Sequence, residues 1–509
     1  MTRKKGPNLL LFMVDQLTPA ALPVYGHKVT RTPHLDALAE RSVIFDSAYC
    51  NSPLCAPARA VFMTGQRAST NRVYDNAAEF RSDIPTFAHY LRRAGYFTVL
   101  SGKMHFCGPD QLHGFEQRLT TDIYPADFGW TPDWTNFGER PSWYHNMSSV
   151  TDAGPSVRTN QLDFDEEVVF AAQKKLYDLV RTGDGRPFCM VVSLTHPHDP
   201  FTITEEYWNL YRDDEIDLPR VQVPVDALDS HSKRLRFVCA QDAEPVTEAQ
   251  IRAARHAYYG AISFIDAQVG RLLKTLREVR LAEDTIVMFL GDHGEMLGER
   301  GLWYKMNFFE GASRVPLLVS APGRFAPRRI GKSVSLVDVL PTLVDLAHDG
   351  AAPAYSAQVD GRSLVPHLEG LDGHDLVLGE YLAEGAVAPI VMIRRGRYKF
   401  VHCPADPDML FDLAEDPDEL RNLAAEPAAA DLVAGFREQV RRTWDLERLQ
   451  HDVISSQQRR LFVTEALKVG AHHPWDHQPF EDASQRFMRN NIDLDDLERR
   501  ARFPPVRTA

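Results

Sequence analysis

Cys55 stands between two prolines in NSPLCAPARA (residues 51–60), two residues after Pro53, two before Pro57 and four before Arg59. Pro57 suits a first helical turn, where its missing N–H costs no hydrogen bond. The spacing therefore predicts residue 55 at a helix N-terminus, whose free N–H groups and dipole favour anions. Arg59, one turn on, shares its face. A lone cysteine is ordinarily a small buried hydrophobe. A disulfide or a thiolate metal site would need partners. The six cysteines (50, 55, 107, 189, 239 and 403) form no CxxC pair and no dense framework, which points to a reducing compartment.

A second group lies in LGDHGEMLGERGLWYKMNFFE (290–310), where Asp292 and His293 directly follow the apolar run TIVMFLG. Asp15 and Gln16 follow another such run, NLLLFMV. Carboxylates and an imidazole gathered at strand ends suit a divalent ion that prefers oxygen, calcium or magnesium. Gln16 can offer an amide oxygen but no charge. Lys103 and His105 in SGKMHF, His196 and His198 in THPHDPF, and Lys305 in WYKMNFF form a third group. Singly each reads as surface decoration. At the ends of neighbouring strands they would cradle an anion.

The motif Cys55-Ala56-Pro57-Ala58-Arg59 resembles the signature of the formylglycine-dependent sulfatases of the alkaline phosphatase superfamily. That resemblance implies that a formylglycine-generating enzyme oxidises Cys55 to an aldehyde. One hydroxyl of its hydrate attacks sulfur and the other expels sulfate. It implies a divalent metal, calcium first with magnesium or manganese as alternatives, held by Asp15, Asp292, His293 and the modified Cys55. Gln16 stands where many members have a second aspartate. It assigns Arg59, Lys103, His105, His198 and Lys305 to the catalytic sulfate cradle, with Asn76 in support. One histidine would protonate the leaving alcohol and another would take the hemiacetal proton.

NSPLCAPARA, DQLTP, THPHDP, HGEMLGERGLWYKMNFFEGASRVP and the tail PWDHQPFEDASQRFMRNNIDLDDLERRARFP together resemble the choline-sulfatase branch of that family. The implied substrate is choline sulfate, a zwitterion that a net charge of −13 does not repel. Its trimethylammonium end needs aromatic faces and a carboxylate. DFGWTPDWTNFGERPSWYHN (127–146) supplies Trp130, Trp134 and Trp143, of which Trp130 is the first choice by family position. Glu384 is the expected counter-charge, with Asp495 or Asp496 of the tail as another. In the family the tail reaches a neighbouring subunit, which implies a homo-oligomer, dimer or tetramer. The alternatives are a phosphonate monoester or phosphodiester hydrolase of the same superfamily and, more remotely, an inactive quaternary-ammonium-binding protein.

Positioning these groups falls to short apolar runs at 8–14, 96–102, 188–195, 285–291 and 315–320, which read as strands buried on both faces. They alternate with amphipathic helical segments at 84–95, 164–181 and 248–280. The expected fold is α/β and alkaline-phosphatase-like, a large mostly parallel sheet between helices with ligands at the strands' carboxyl ends. Character changes near 375: residues 390–402 read as antiparallel strands, 405–423 as acidic turns and 427–469 as helix. The expected division is a catalytic domain over 1–374, a smaller α+β subdomain over 375–450, and a helix and oligomer-contacting tail over 451–509. No basic run meets nucleic acid. No apolar run approaches the roughly 20 residues of a membrane span. The short apolar stretch after MTRKKGPN has no cleavage site behind it, so a cytoplasmic protein is expected.

Overall fold

The computed structural model describes residues 6–181, 184–243, 245–348, 353–471, 473–481 and 493–504. Its main sheet joins eight strands: β1 (Asn8–Val14), β2 (Val43–Tyr49), β3 (Phe97–Gly102), β4 (Gln117–Arg118), β6 (Phe188–Leu194), β8 (Thr285–Gly291), β9 (Leu317–Ser320) and β10 (Arg328–Ser335). Their spatial order is β10-β2-β9-β8-β1-β6-β3-β4. Every neighbouring pair is parallel except those made by β9, which runs antiparallel to β2 and β8. A short parallel pair, β5 (Gly154–Ser156) and β7 (Thr202–Thr204), stands apart.

Strand β1 shows why the apolar runs are unbroken. Leu10, Phe12 and Val14 join the core on one face, and Leu9, Leu11 and Met13 join the core on the other. Side chains alternate across a strand, so only a sheet covered on both sides buries them all. The Asn160–Arg181 and Glu248–Glu278 helices cover the first face, through residues such as Leu162, Val168, Ile262 and Val269. The Cys55–Thr64, Phe87–Arg93 and Val339–His348 helices cover the second. The expected strands and helices are present with shifted ends. The helical stretch near 427–469 divides into Ala430–Thr443 and Leu446–Leu467 around Trp444 and Asp445.

A smaller antiparallel sheet follows: β11 (Leu376–Tyr381), β12 (Ile390–Arg395), β13 (Tyr398–His402) and β14 (Met409–Asp412). Most of its buried apolar residues, among them Val377, Val391 and Phe400, belong to the same apolar cluster as β1 and the Glu248–Glu278 helix, while Phe411 packs with Phe309 and Met296 in a separate one. Phe436 of the Ala430–Thr443 helix stacks on Phe400 with ring centroids 5.2 Å apart. Tail residues 482–492 and 505–509, part of the expected oligomer contact, lie outside the described residues. Among the described residues no helix is long and apolar enough to cross a membrane.

Four adjacent strands, β8, β1, β6 and β3, end in the sequence-predicted site residues. Backbone bonds align those ends: Asp292 N donates to Val14 O at 3.2 Å, Asp15 N to Leu194 O at 3.2 Å, and Lys103 N to Ser193 O at 3.1 Å.

Candidate active site

Cys55 opens the Cys55–Thr64 helix, as the proline spacing predicts, and every residue of that helix is buried. Leu54 at the N-cap has no capping side chain. Asn76 does that work from a distant loop, its Oδ1 accepting from Ala56 N at 2.9 Å. This satisfies one of the orphan first-turn amides and leaves residue 55 facing the strand ends.

Ligand atoms of Asp15, Cys55, Asp292 and His293 lie within 4.8 Å of one another, and all four residues are buried. Cys55 Sγ sits 3.2 Å from His293 Nε2, 3.6 Å from Lys103 Nζ and 3.7 Å from Asp15 Oδ1. Burial, then Asp15, push the thiol up to about 12, so the unmodified side chain is no thiolate at neutral pH. His293 Nδ1 lies 3.1 Å from Gly294 O. Donating there leaves Nε2 with a free lone pair toward the cluster. Two carboxylates and that imidazole fit one divalent ion in charge and donor type.

Arg59 and Lys103, both fully buried, lie behind the carboxylates. Arg59 Nε donates to Asp292 Oδ2 at 2.9 Å and Nη1 to Ser193 Oγ at 2.8 Å, while Nη2 has no hydrogen-bond partner. Lys103 pairs with Asp15 and lies 4.1 Å from the centre of the Tyr124 ring. Burial works to raise Asp15, but the cations beside it, Lys103 first and then Arg59, outweigh it and hold the carboxyl well below its usual range.

His198 and Lys305 meet across the site, with Lys305 Nζ 2.9 Å from His198 Nε2. Burial and the Lys305 charge hold that imidazole well below its ordinary range, so it accepts from the ammonium there. Its Nδ1 lies 2.6 Å from Asp199 O, where it donates. His105 is held the same way: burial, then Lys103, lower it to about 3, and neither ring nitrogen has a hydrogen-bond partner. His196 turns from the site into the core, paired with Asp165 at 2.7 Å and packed on Phe264.

Gln16, the expected amide-oxygen ligand, is held here by hydrogen bonds through both its amide atoms. Its Oε1 accepts from Lys305 Nζ at 2.6 Å, and its Nε2 donates to Glu295 Oε2 at 2.5 Å and Asp199 Oδ1 at 3.2 Å. A neutral amide both accepts and donates, so it bridges a cation to two carboxylates, as an aspartate in its place could not.

A cavity of about 260 Å³ opens from Cys55 and is lined by Asn76, Tyr124, Trp130, Trp143, His145 and Glu384 among others. Trp130 meets His105 and Tyr124 edge-on, at centroid distances of 5.7 and 5.2 Å. Glu384 is 3% exposed, and its Oε2 has no hydrogen-bond partner. Burial raises its carboxyl to about 7. Trp134 is instead a buried strut, its indole N–H donating to Ala383 O at 2.9 Å. Asp495 and Asp496 open the Leu494–Ala501 helix and are not part of this chain's cavity lining, and Asp496 pairs with Arg499. Tyr124 and His145 escaped the sequence reading. His145 lay in the quoted aromatic segment, its Nε2 3.2 Å from Lys305 Nζ, while Tyr124 lay just ahead of it with no motif to mark it.

A strand-end cluster of two carboxylates, an imidazole and a helix-opening cysteine defines a class of hydrolase, and the chain belongs to the sulfatase family. The family's model matches residues 7–349. A model described as choline sulfatase enzyme C terminal matches 451–503, and one for the N-sulphoglucosamine sulphohydrolase C-terminal region matches 298–445. The chain is 52% identical over 507 residues to the choline-sulfatase of Rhizobium meliloti (strain 1021), covering 98% of each. It is 32% identical over 346 residues to the iduronate 2-sulfatase of Mus musculus, covering 63% of this chain and 60% of that one. The fold is also that of the phosphonate monoester hydrolase of Agrobacterium radiobacter: TM-score 0.66, 25% identity, 89% of this chain and 96% of that one. The protein is a sulfuric ester hydrolase.

Proposed function

We propose that this enzyme hydrolyses choline sulfate to choline and sulfate, using Cys55 after its conversion to formylglycine and a divalent metal, calcium first. The ammonium end carries the proposal. Glu384 places a buried carboxylate oxygen, without a hydrogen-bond partner, in the cavity that holds Cys55, Trp130 and Tyr124. A quaternary ammonium has no N–H to donate, so it suits a carboxylate left free of donors beside aromatic faces. At the other end Arg59 and Lys103 supply positive charge for the sulfate, and Asn76 fixes the helix turn beneath it.

Asp15, Asp292, His293 and the side chain of residue 55 would hold the metal, which together with the formylglycine hydrate supplies a charge-stabilised hydroxyl nucleophile. Burial keeps the His198 and His105 imidazoles neutral, the form a base needs, and whichever serves as leaving-group acid must first take up a proton. His198, fixed by Asp199 O and Lys305, and His105, without a partner, are the candidates for leaving-group acid and hemiacetal base. Asp495 or Asp496, in the first turn of the Leu494–Ala501 helix, would serve a neighbouring subunit's cavity in a homo-oligomer. The boundaries proposed remain 1–374, 375–450 and 451–509. Six unpaired cysteines support a cytoplasmic setting.

Likeness to phosphonate monoester hydrolases makes that activity the competing reading. The test is kcat/KM on choline sulfate against a phenyl phosphonate monoester, with enzyme coexpressed with a formylglycine-generating enzyme. A preference for the phosphonate would reverse the assignment.

A further inference from the structure

The Leu446–Leu467 helix stands outside the catalytic sheet, yet it reaches the cavity wall from behind. Arg460 on this helix is 5% exposed and grips the fully buried Asp75 carboxylate with a two-pronged pair. Nη1 donates to Oδ1 at 2.7 Å and Nη2 to Oδ2 at 2.6 Å. Nη1 also donates to Thr131 Oγ1 at 2.9 Å. One turn earlier, Gln457 Oε1 accepts from Trp134 N at 3.0 Å, and the Trp134 indole is the strut to Ala383 O.

These contacts join three chain segments that form opposite ends of the cavity. Asp75 precedes Asn76, which caps the Cys55 helix at the sulfate end. Thr131 follows Trp130, and Ala383 precedes Glu384, at the ammonium end. A planar guanidinium satisfying a bidentate carboxylate and a third acceptor fixes orientation as well as distance. The sulfate end has further ties of its own: Asn76 holds Ala56 N, and Asn76 O accepts from Cys107 Sγ at 3.1 Å.

We infer that Arg460 is a positioning residue that sets the spacing between the sulfate and ammonium ends, so that the Leu446–Leu467 helix governs selection of a cationic ester. This rests on the reading of Glu384 and Trp130 as the ammonium site. The hydrogen bonds of Arg460 go to Asp75, Thr131 and Ser456, none of which lines the cavity, so its effect passes through Thr131 and Asp75.

The test compares Arg460→Lys with a double variant, Arg460→Gln with Asp75→Asn. The double variant removes both buried charges and so avoids stranding one of them in the core. Values of kcat and KM are measured on choline sulfate and on 4-nitrophenyl sulfate, which has no ammonium, with folding checked by thermal melts. In the double variant kcat/KM for choline sulfate is expected to fall about thirtyfold, mainly through KM, against less than about threefold for the aryl ester. Arg460→Lys falls between, keeping the charge without the fork. An equal fall on both esters, or no change on either, overturns the inference. A wild-type enzyme with no preference for choline sulfate sinks the ammonium site itself. A preference retained in both variants sinks only the role of Arg460.

Discussion

Glu384 and Cys55 line the same cavity, although 329 positions separate them in the chain. One brings a buried carboxylate without a hydrogen-bond donor at Oε2, the other the start of a buried helix beside two more carboxylates. In the proposed reading, a substrate spanning them is positive at one end and accepts nucleophilic attack at the other.

Replacing Glu384 by glutamine tests the positive end. Burial raises this carboxyl to about 7, so the free protein holds it partly protonated at neutral pH. A bound cation favours the ionised form. Affinity for choline should therefore weaken as pH falls through 7, approaching about tenfold per unit below it. Calorimetric titrations between pH 5 and 8 would show that slope in the wild type and a flat profile in Glu384→Gln. A flat wild-type profile would remove Glu384 from the site.

Trp130→Ala should raise KM for choline sulfate with little change in kcat. A desolvated cation over an indole contributes about 1–2 kcal/mol, or roughly five- to thirtyfold. The KM for 4-nitrophenyl sulfate provides the control, and an equal rise there would mean lost packing instead.

Metal binding can be read without turnover. Excess calcium over a chelated sample should raise the melting temperature, since a ligand at a hundred times its Kd stabilises by about 2.7 kcal/mol. Asp292→Asn should abolish the shift. Identical melts with chelator, calcium, magnesium and manganese would sink the proposed centre.

Peptide mass decides the fate of Cys55. Conversion to formylglycine leaves a peptide about 18 Da lighter than the thiol form, or of unchanged mass when hydrated, so carbonyl labelling should accompany the measurement. A native-host peptide that remains wholly cysteine would undo the proposed chemistry.

Asn76→Ala should destabilise the protein by about 1 kcal/mol, the usual loss when a helix cap is removed. Its Oδ1 is the partner of Ala56 N, so chemical denaturation midpoints should fall even without substrate. An unchanged midpoint would show the cap to be dispensable.

Sequence alone was enough to place the strand-end residues. The runs ending at Val14, Leu194 and Gly291 are apolar at nearly every position, which only a sheet buried on both faces requires, and Asp15, His198 and Asp292 follow them closely, as Lys103 follows the more mixed FTVLSG. Proline spacing likewise put Cys55 at a helix start. Pairing between distant side chains was decided by the tertiary structure, because it depends on strand order and loop path, which local periodicity does not encode. Gln16 reads as a ligand by its place beside Asp15, and only the fold shows the loop carrying Lys305 coming within 2.6 Å of its amide oxygen. Trp134 and Trp130 look alike in one aromatic segment, and only the wall built by Ala383 and the Leu446–Leu467 helix makes one a strut and leaves the other facing the cavity. The chain's own letters marked the residues gathered around Cys55. The shape of the cavity beside Glu384 and Trp130 came from packing between segments hundreds of residues apart.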